Sequence, residues 1–292
     1  RCCLFFHRFN INFIVYKRIL DEIHIIKTIS TGLKPGYLMK EVVYKLLDTF
    51  TGGKGLRKTI NGFPVRLPAR YVNYFPSDYE QDNFTFLKKQ EKAGDTVLDI
   101  GAHIGLFSTA AAQLAGNNGK VYAFEPASET NALLKHTIFI NQMQQVIEAH
   151  NEAMGASSGK TVFYVSPIKG DNSNSLVSYK EDRELNPVNV AMYSIDDFVQ
   201  LKKIEKLAFI KIDVEGAEYD ALKGATNTLR NLKPACIVAI HPEPIASKGD
   251  RLDQIYDLIS DCGYDIFYNQ KVLNKEEFCD NRELIDLHIL PR

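Results

Sequence analysis

Asp95-Thr96-Val97-Leu98-Asp99-Ile100-Gly101-Ala102-His103-Ile104-Gly105 is the stretch that decides the fold of this 292-residue chain. Its apolar run is flanked by glycines and gives way to Leu106, Phe107, Ala110 and Leu114 at helical spacing, which predicts a buried strand, a glycine turn and a helix. Gly101 and Gly105 allow a tight turn and close approach of a ligand to the backbone, and the helix aims free N–H groups at the same place. Twenty residues beyond Gly105, the run Lys120–Phe124 ends in Glu125, an acidic group at a strand tip where the two hydroxyls of a ribose can be held. Together these features predict a cradle for a nucleoside.

Working outward, strands and helices alternate from residue 95 onward, which predicts an α/β fold with a mostly parallel sheet covered on both faces. Further strands are expected at 146–150, 161–165, 189–193, 208–212, 235–240, 264–268 and 284–290. Ser128 is the expected cap of a helix through Asn141, Asp196 and Asp197 start a short helix, and 218–231 reads as helical turns broken at Gly224. The polar segment 167–187 is either a disordered loop or a functional lid, and its place between strands favours the lid. Upstream, residues 40–51 and 84–91 are expected to be helical. Asn61-Gly62 predicts a hairpin between Leu56–Ile60 and Phe63–Leu67, and 70–75 reads as a third β-like run. The expected partition is an N-terminal extension over 1–38, a helix and small β appendage over 39–92, and the main domain over 93–292.

Composition narrows the classes. At 45% hydrophobic and 24% charged residues the chain can bury a sizeable core and is neither fibrous nor wholly disordered. A net charge of −1 offers no basic stripe for nucleic acid. The five cysteines, Cys2, Cys3, Cys236, Cys262 and Cys279, form no Cys-x-x-Cys pair, which points to free thiols in a reducing, cytoplasmic setting rather than to disulfides or structural zinc. Residues 1–38 are rich in Phe and Ile, but Arg8, Lys17 and Arg18 leave no run able to span a bilayer. They read as an upstream extension before Met39 or as a helix packing on the domain or a partner, with a membrane-surface role as a third option.

In open α/β sheets ligands lie beyond the carboxyl ends of the strands. Four such ends carry polar groups: Asp99 with Gly101, Glu125, Asp213, and His241 with Glu243. The turn departs from the dinucleotide pattern, because His103 stands where a second glycine would admit a pyrophosphate. S-adenosylmethionine, a nucleoside without phosphates, suits the site better.

The ordered set Asp99-Ile100-Gly101-Ala102-His103-Ile104-Gly105, Ala123-Phe124-Glu125-Pro126, Ile210-Lys211-Ile212-Asp213-Val214-Glu215-Gly216-Ala217-Glu218 and Leu222-Lys223-Gly224-Ala225 resembles the FkbM family of S-adenosylmethionine-dependent methyltransferases over roughly residues 77–243. That resemblance implies a seven-stranded class I methyltransferase sheet and O-methylation of hydroxyls on sugars or secondary metabolites. It also implies that Gly101, Ala102 and Gly105 cradle the methionine part of the cofactor with support from Asp99. By the same resemblance Glu125 binds the ribose, Asn151, Glu152 and Ala153 form the adenine edge, and Asp213 faces the transferred methyl. The family commonly has an acidic residue before its His, where this chain has Ala239-Ile240-His241, leaving Glu243 as a substitute.

A sugar hydroxyl is a weak nucleophile, so a nearby base helps, and Asp213 and His241 are the candidates. Glu215 and Glu218 could join Asp213 around magnesium, but stabilising the start of the next helix is the preferred reading, and no metal is expected. Lys211 can pair with one of these acids or reach the crevice, and Tyr79 and Glu80 either wall the site or simply pack. The expected function is an O-methyltransferase acting on a hydroxyl of a sugar or polar metabolite. A nicotinamide-dependent oxidoreductase and a non-catalytic cofactor-binding or partner-docking protein are the alternatives.

Overall fold

A computed structural model describes residues 35–166, Leu176 and 185–292. Residues 1–34 and most of the expected lid lie outside the described residues. Contacts divide the chain into two units, one with the described residues 35–59 and 66–77, the other with 60–65 and 78–292.

The smaller unit holds helix α1 (Pro35–Phe50), most of strand β1 (Leu56–Ile60) and the end of strand β2 (Phe63–Leu67). Asn61 and Gly62 both take positive φ, 50° and 83°, as the hairpin turn requires. The expected third β run is corrected: Ala69–Tyr71 is a single 3-10 turn following Pro68. The Lys58 ammonium takes the carbonyl of Val72 at 2.6 Å, an acceptor that a strand would have offered to a ladder.

The larger unit begins with α2 (Gln81–Gln90), then alternates β3 (Thr96–Ile100), α3 (Leu106–Ala115), β4 (Lys120–Phe124), α4 (Ser128–Ile140) and β5 (Ile147–His150). Next come β6 (Ala153–Met154), β7 (Gly159–Val165) and β8 (Asn186–Tyr193), which pair in a sheet of their own. The chain then continues through α5 (Ile195–Leu201), β9 (Phe209–Ile212), α6 (Glu218–Lys223), α7 (Thr226–Leu232) and β10 (Ala235–Ile240). It ends with α8 (Pro242–Ser247), α9 (Leu252–Asp261), β11 (Tyr264–Tyr268), β12 (Lys271–Val272), α10 (Lys275–Cys279) and β13 (Ile285–Pro291). The main sheet runs β12-β11-β13-β10-β9-β3-β4-β5. It is the expected seven-stranded class I methyltransferase sheet with a two-residue edge strand added.

Strands β9 and β10 are buried at every position, as expected for parallel strands covered on both faces. Leu98, Ile210, Ile212 and Val238 pack with Phe198, Leu222, Leu229 and Ile255 in one core. Elsewhere Phe209 meets Phe86 of α2 and Phe107 of α3, with ring centroids 5.7 and 6.1 Å away. In register, Ile100 pairs with both Phe124 and Ile212, and Ile212 pairs with Val238. Gly101, Glu125, Asp213 and His241 therefore leave adjacent parallel strands at the same edge. No helix among the described residues is long and apolar enough to cross a membrane.

Candidate active site

Gly101 has φ +84°, and a Cβ there would lie 1.8 Å from the carbonyl oxygen of Asp213. Its lack of a side chain is demanded by the neighbouring strand's backbone. Gly105, at φ +87°, would place a Cβ 2.5 Å from Leu134 Cδ1 of α4. Ala102 is buried, with its N–H donated to Phe124 O at 2.9 Å. His103 takes φ +49° and donates its N–H to Glu125 Oε2 at 3.1 Å, while Glu125 Oε1 accepts from Ala127 N at 3.0 Å. Burial pushes the Glu125 carboxyl up to about 7 against these two donors.

Asn131, which the sequence did not single out, spans the ends of β4 and β5 by donating Nδ2 to Glu125 O and His150 O, at 3.1 and 2.7 Å. Asn151 Nδ2 donates to Glu125 O and Pro126 O at 3.0 and 2.9 Å, so it braces the backbone beside the acid. Glu152 lies 3.5 Å from His150 Nδ1, and Ala153 is buried in β6 opposite Met192. Asp99 is fully buried, accepts the Ser108 hydroxyl on Oδ2, and has no partner on Oδ1. Ser128 is corrected from cap to first helical residue: Ala127 is the N-cap, and the Ser128 hydroxyl donates to Asn151 Oδ1 at 3.1 Å.

On the other side of Gly101, Asp213 Oδ2 receives the Lys211 ammonium at 2.8 Å. Burial opposes the charge on Lys211, but Asp213, Glu80 and Asp99 outweigh it and lift its pKa. Burial likewise opposes ionisation of Asp213, yet Lys211 and His241 hold it below the ordinary range. His241 Nε2 stands 3.6 Å from Glu215 Oε2 and 3.9 Å from Asp213 Oδ1, while Nδ1 meets Glu218 Oε1 at 2.8 Å. Despite burial, these acids, Glu218 foremost, raise His241 to about 9, so it is charged at neutral pH. Glu218 is fully buried at the first residue of α6, where it accepts Gly216 N at 2.9 Å as well as meeting His241. Its bond to Gly216 N lies one residue ahead of the Ala217 N-cap, and its bond to His241 orients the imidazole. Asp213, Glu215 and His241 offer ligand atoms within 4.8 Å of one another, but a cation there would first have to displace the His241 proton. Glu243 is exposed on the first turn of α8.

Sequence reasoning missed Asn83 and Asp286, which α2 and β13 bring beside Glu80. Asn83 Nδ2 lies 3.2 Å from Glu80 Oε2 and 2.8 Å from Asp286 Oδ2. Asn83 and Asp286 are 203 residues apart, so no local pattern could have joined them.

The model of the methyltransferase FkbM domain matches residues 99–266, spanning the turn, Glu125, Asp213, His241 and the strands between them. This chain belongs to the FkbM methyltransferase family. Hexuronic acid methyltransferase AglP of Haloferax volcanii is 27% identical over 162 residues, 56% of this chain and 62% of AglP. Methyltransferase 1 of Beauveria bassiana is 26% identical over 170 residues, 53% of this chain and 66% of that protein. The chain thus spans less than two thirds of the length of either curated relative. A solved FkbM methyltransferase of Methylobacillus flagellatus KT aligns at TM-score 0.44 and 16% identity, covering 76% of this chain and 54% of that one.

Proposed function

We propose that this chain is an S-adenosylmethionine-dependent O-methyltransferase acting on a hydroxyl of a carbohydrate or similar polar metabolite. The observation that carries the proposal is the Asp213 carboxylate, held between Lys211 and His241 at a strand end directly beside the glycine turn. Family membership and the name of the AglP relative support the reaction class and the sugar. The residues fit a cationic nucleoside: Glu125 stands across the turn for ribose hydroxyls, and Asp99 keeps one buried oxygen without a partner. Asn151 and Glu152 border the adenine side, and Gly101, Ala102 and Gly105 shape the turn around the methionine part. A pyrophosphate is disfavoured, since the His103 N–H that would greet it already serves the Glu125 carboxylate, and this argues against the nicotinamide alternative.

When bound, S-adenosylmethionine supplies a methyl group on a sulfonium that an in-line oxygen can take. Asp213 accepts the hydrogen bond of the acceptor hydroxyl and then its proton, which gives the oxygen nucleophilic character as it attacks. Lys211 and His241 keep that carboxylate ionised, and Glu218 holds the His241 ring so that Nε2 faces it. Free thiols at Cys236, Cys262 and Cys279 support a reducing, cytoplasmic setting for the reaction.

The test is methyl transfer from labelled S-adenosylmethionine to a panel of glycosides, with cofactor affinity measured in parallel by calorimetry. Asp213→Asn is expected to lower kcat by about 10²–10⁴-fold while retaining cofactor affinity, and Glu125→Ala to lose cofactor binding. Full turnover by Asp213→Asn, or tighter binding of NAD than of S-adenosylmethionine, overturns the proposal.

A further inference from the structure

We propose that the groove between α2 and strands β11 and β13 is the acceptor subsite, and that it takes an uncharged polyhydroxylated ring, a neutral glycosyl unit. This proposal rests on the methyltransferase function above and names where its acceptor sits.

The groove encloses about 820 Å³ and is lined by Glu80, Asn83, Tyr268, Asn269, Gln270 and Asp286 among others. That volume falls in the usual range for small-molecule sites, roughly 300–1,000 Å³. Its polar floor is built in advance. The Asn83 amide is buried and bridges the carboxylates of Glu80 and Asp286, while Asn83 Oδ1 meets His288 Nε2 at 3.1 Å. The acceptor role of Asn83 Oδ1 puts the imidazole hydrogen on Nε2, and Phe86 stacks flat on that ring at 4.1 Å. Side chains locked by packing and by one another lose little entropy when a ligand arrives.

The lining chemistry matches a sugar. Carboxylates accept from hydroxyls, the amides of Asn269 and Gln270 both donate and accept, and Tyr268 offers an aromatic face to the C–H face of a ring. Charge decides between neutral and acidic sugars: Glu80, Asp82 and Asp286 face Lys89 as the single lysine or arginine of the lining, so an anionic ring meets repulsion.

Topology points the groove at the chemistry. Strand β13 is antiparallel, and its first residue, Ile285, pairs with Ile240 at the end of β10, which puts Asp286 at the sheet edge that carries Asp213 and His241. Glu80 is shared, since its carboxylate lines the groove and also contributes to the charge that holds Lys211, the ion-pair partner of Asp213.

The experiment follows the His288 and Tyr268 NMR signals while the folded chain is titrated with methyl α-glucopyranoside, methyl α-galactopyranoside and sodium glucuronate. The neutral glycosides are expected to shift both signals, with glucuronate binding at least about tenfold more weakly. Asp286→Asn should weaken the neutral probes and narrow that discrimination. Leu284→Trp, at an exposed lining position outside the hydrogen-bond network, should block them while leaving S-adenosylmethionine affinity intact as the check on folding. Absence of shifts with both neutral probes, tighter binding of glucuronate, or indifference to both variants overturns the subsite. Methyl transfer to a sugar that neither variant impairs would defeat the subsite and keep the methyltransferase. Sugar-dependent shifts at His288 in a chain that neither binds nor consumes S-adenosylmethionine would do the reverse.

Discussion

Gly101 combines two demands that substitution can separate. Its φ is +84°, and its Cα faces the Asp213 carbonyl so closely that any Cβ would overlap it. Gly94 has a similar φ, +87°, but open space around it. Gly94→Ala therefore reports the left-handed backbone alone, about 1–2 kcal/mol. Gly101→Ala must cost more, because β3 and β9 have to separate to admit the methyl group. Urea denaturation of both variants checks this, and equal losses would mean that the close approach is unimportant. Glu125 presents a titration instead. Burial raises its carboxyl to about 7; in the proposed role, ribose hydroxyls would bind the ionised form more strongly, so affinity for S-adenosylmethionine should climb as pH rises through about 7. Calorimetry from pH 6 to 8 should show that climb in the wild type and a flat profile in Glu125→Gln.

Among the elements, helix starts were legible only in part. Asp196 and Asp197 stand in the first turn of α5, as expected, but the side chain that caps it is that of Ser194, accepting from Asp197 N at 3.1 Å. Asp196 instead reaches α7, where its carboxylate takes Asn227 N at 3.0 Å and both Thr228 N and Thr228 Oγ1 at 2.7 Å. The side chain that caps α7 comes from 31 residues upstream. Asp196→Ala is thus expected to cost about 1–2 kcal/mol, at least as much as Ser194→Ala at about 1 kcal/mol. Chemical denaturation of the two variants measures the difference, and a negligible loss in Asp196→Ala would remove the cross-helix cap. Ser128 shows the same lesson: a hydroxyl at the right place for a cap bonded to Asn151 across the β4 and β5 ends instead. By contrast, helices and strands marked by strong periodicity or by Asn-Gly were legible, because those signals depend only on neighbours in sequence.

For the whole molecule, His241 links the candidate active site to global stability. Its folded pKa of about 9 exceeds the ordinary 6.5, so the native state favours the proton. The contribution is fully present below about 6.5 and is lost as pH rises through about 9, with a size of about 3 kcal/mol. Glu91, raised by burial to about 9, drives a decline of the same sign that starts lower, near 4.5. The difference between wild type and His241→Gln isolates the histidine: their stability gap should shrink between pH 6.5 and 9. A constant gap would show that the acids around His241 do not hold its proton.

The strands of the main sheet other than β12, the glycine turn, and the acids Asp99, Glu125 and Asp213 at the strand ends were legible in the sequence alone, because an apolar run, a glycine and a carboxylate at a strand end are neighbours along the chain. Adjacency of those ends in the sheet followed from the parallel α/β alternation. What only the tertiary structure decided is who faces whom. Lys211 chose Asp213, Glu218 took the inner nitrogen of His241, and Asn83 joined Glu80 to Asp286. Such pairings depend on which faces of distant elements pack together, and on buried polar groups finding partners once water is gone, which no spacing along the chain encodes.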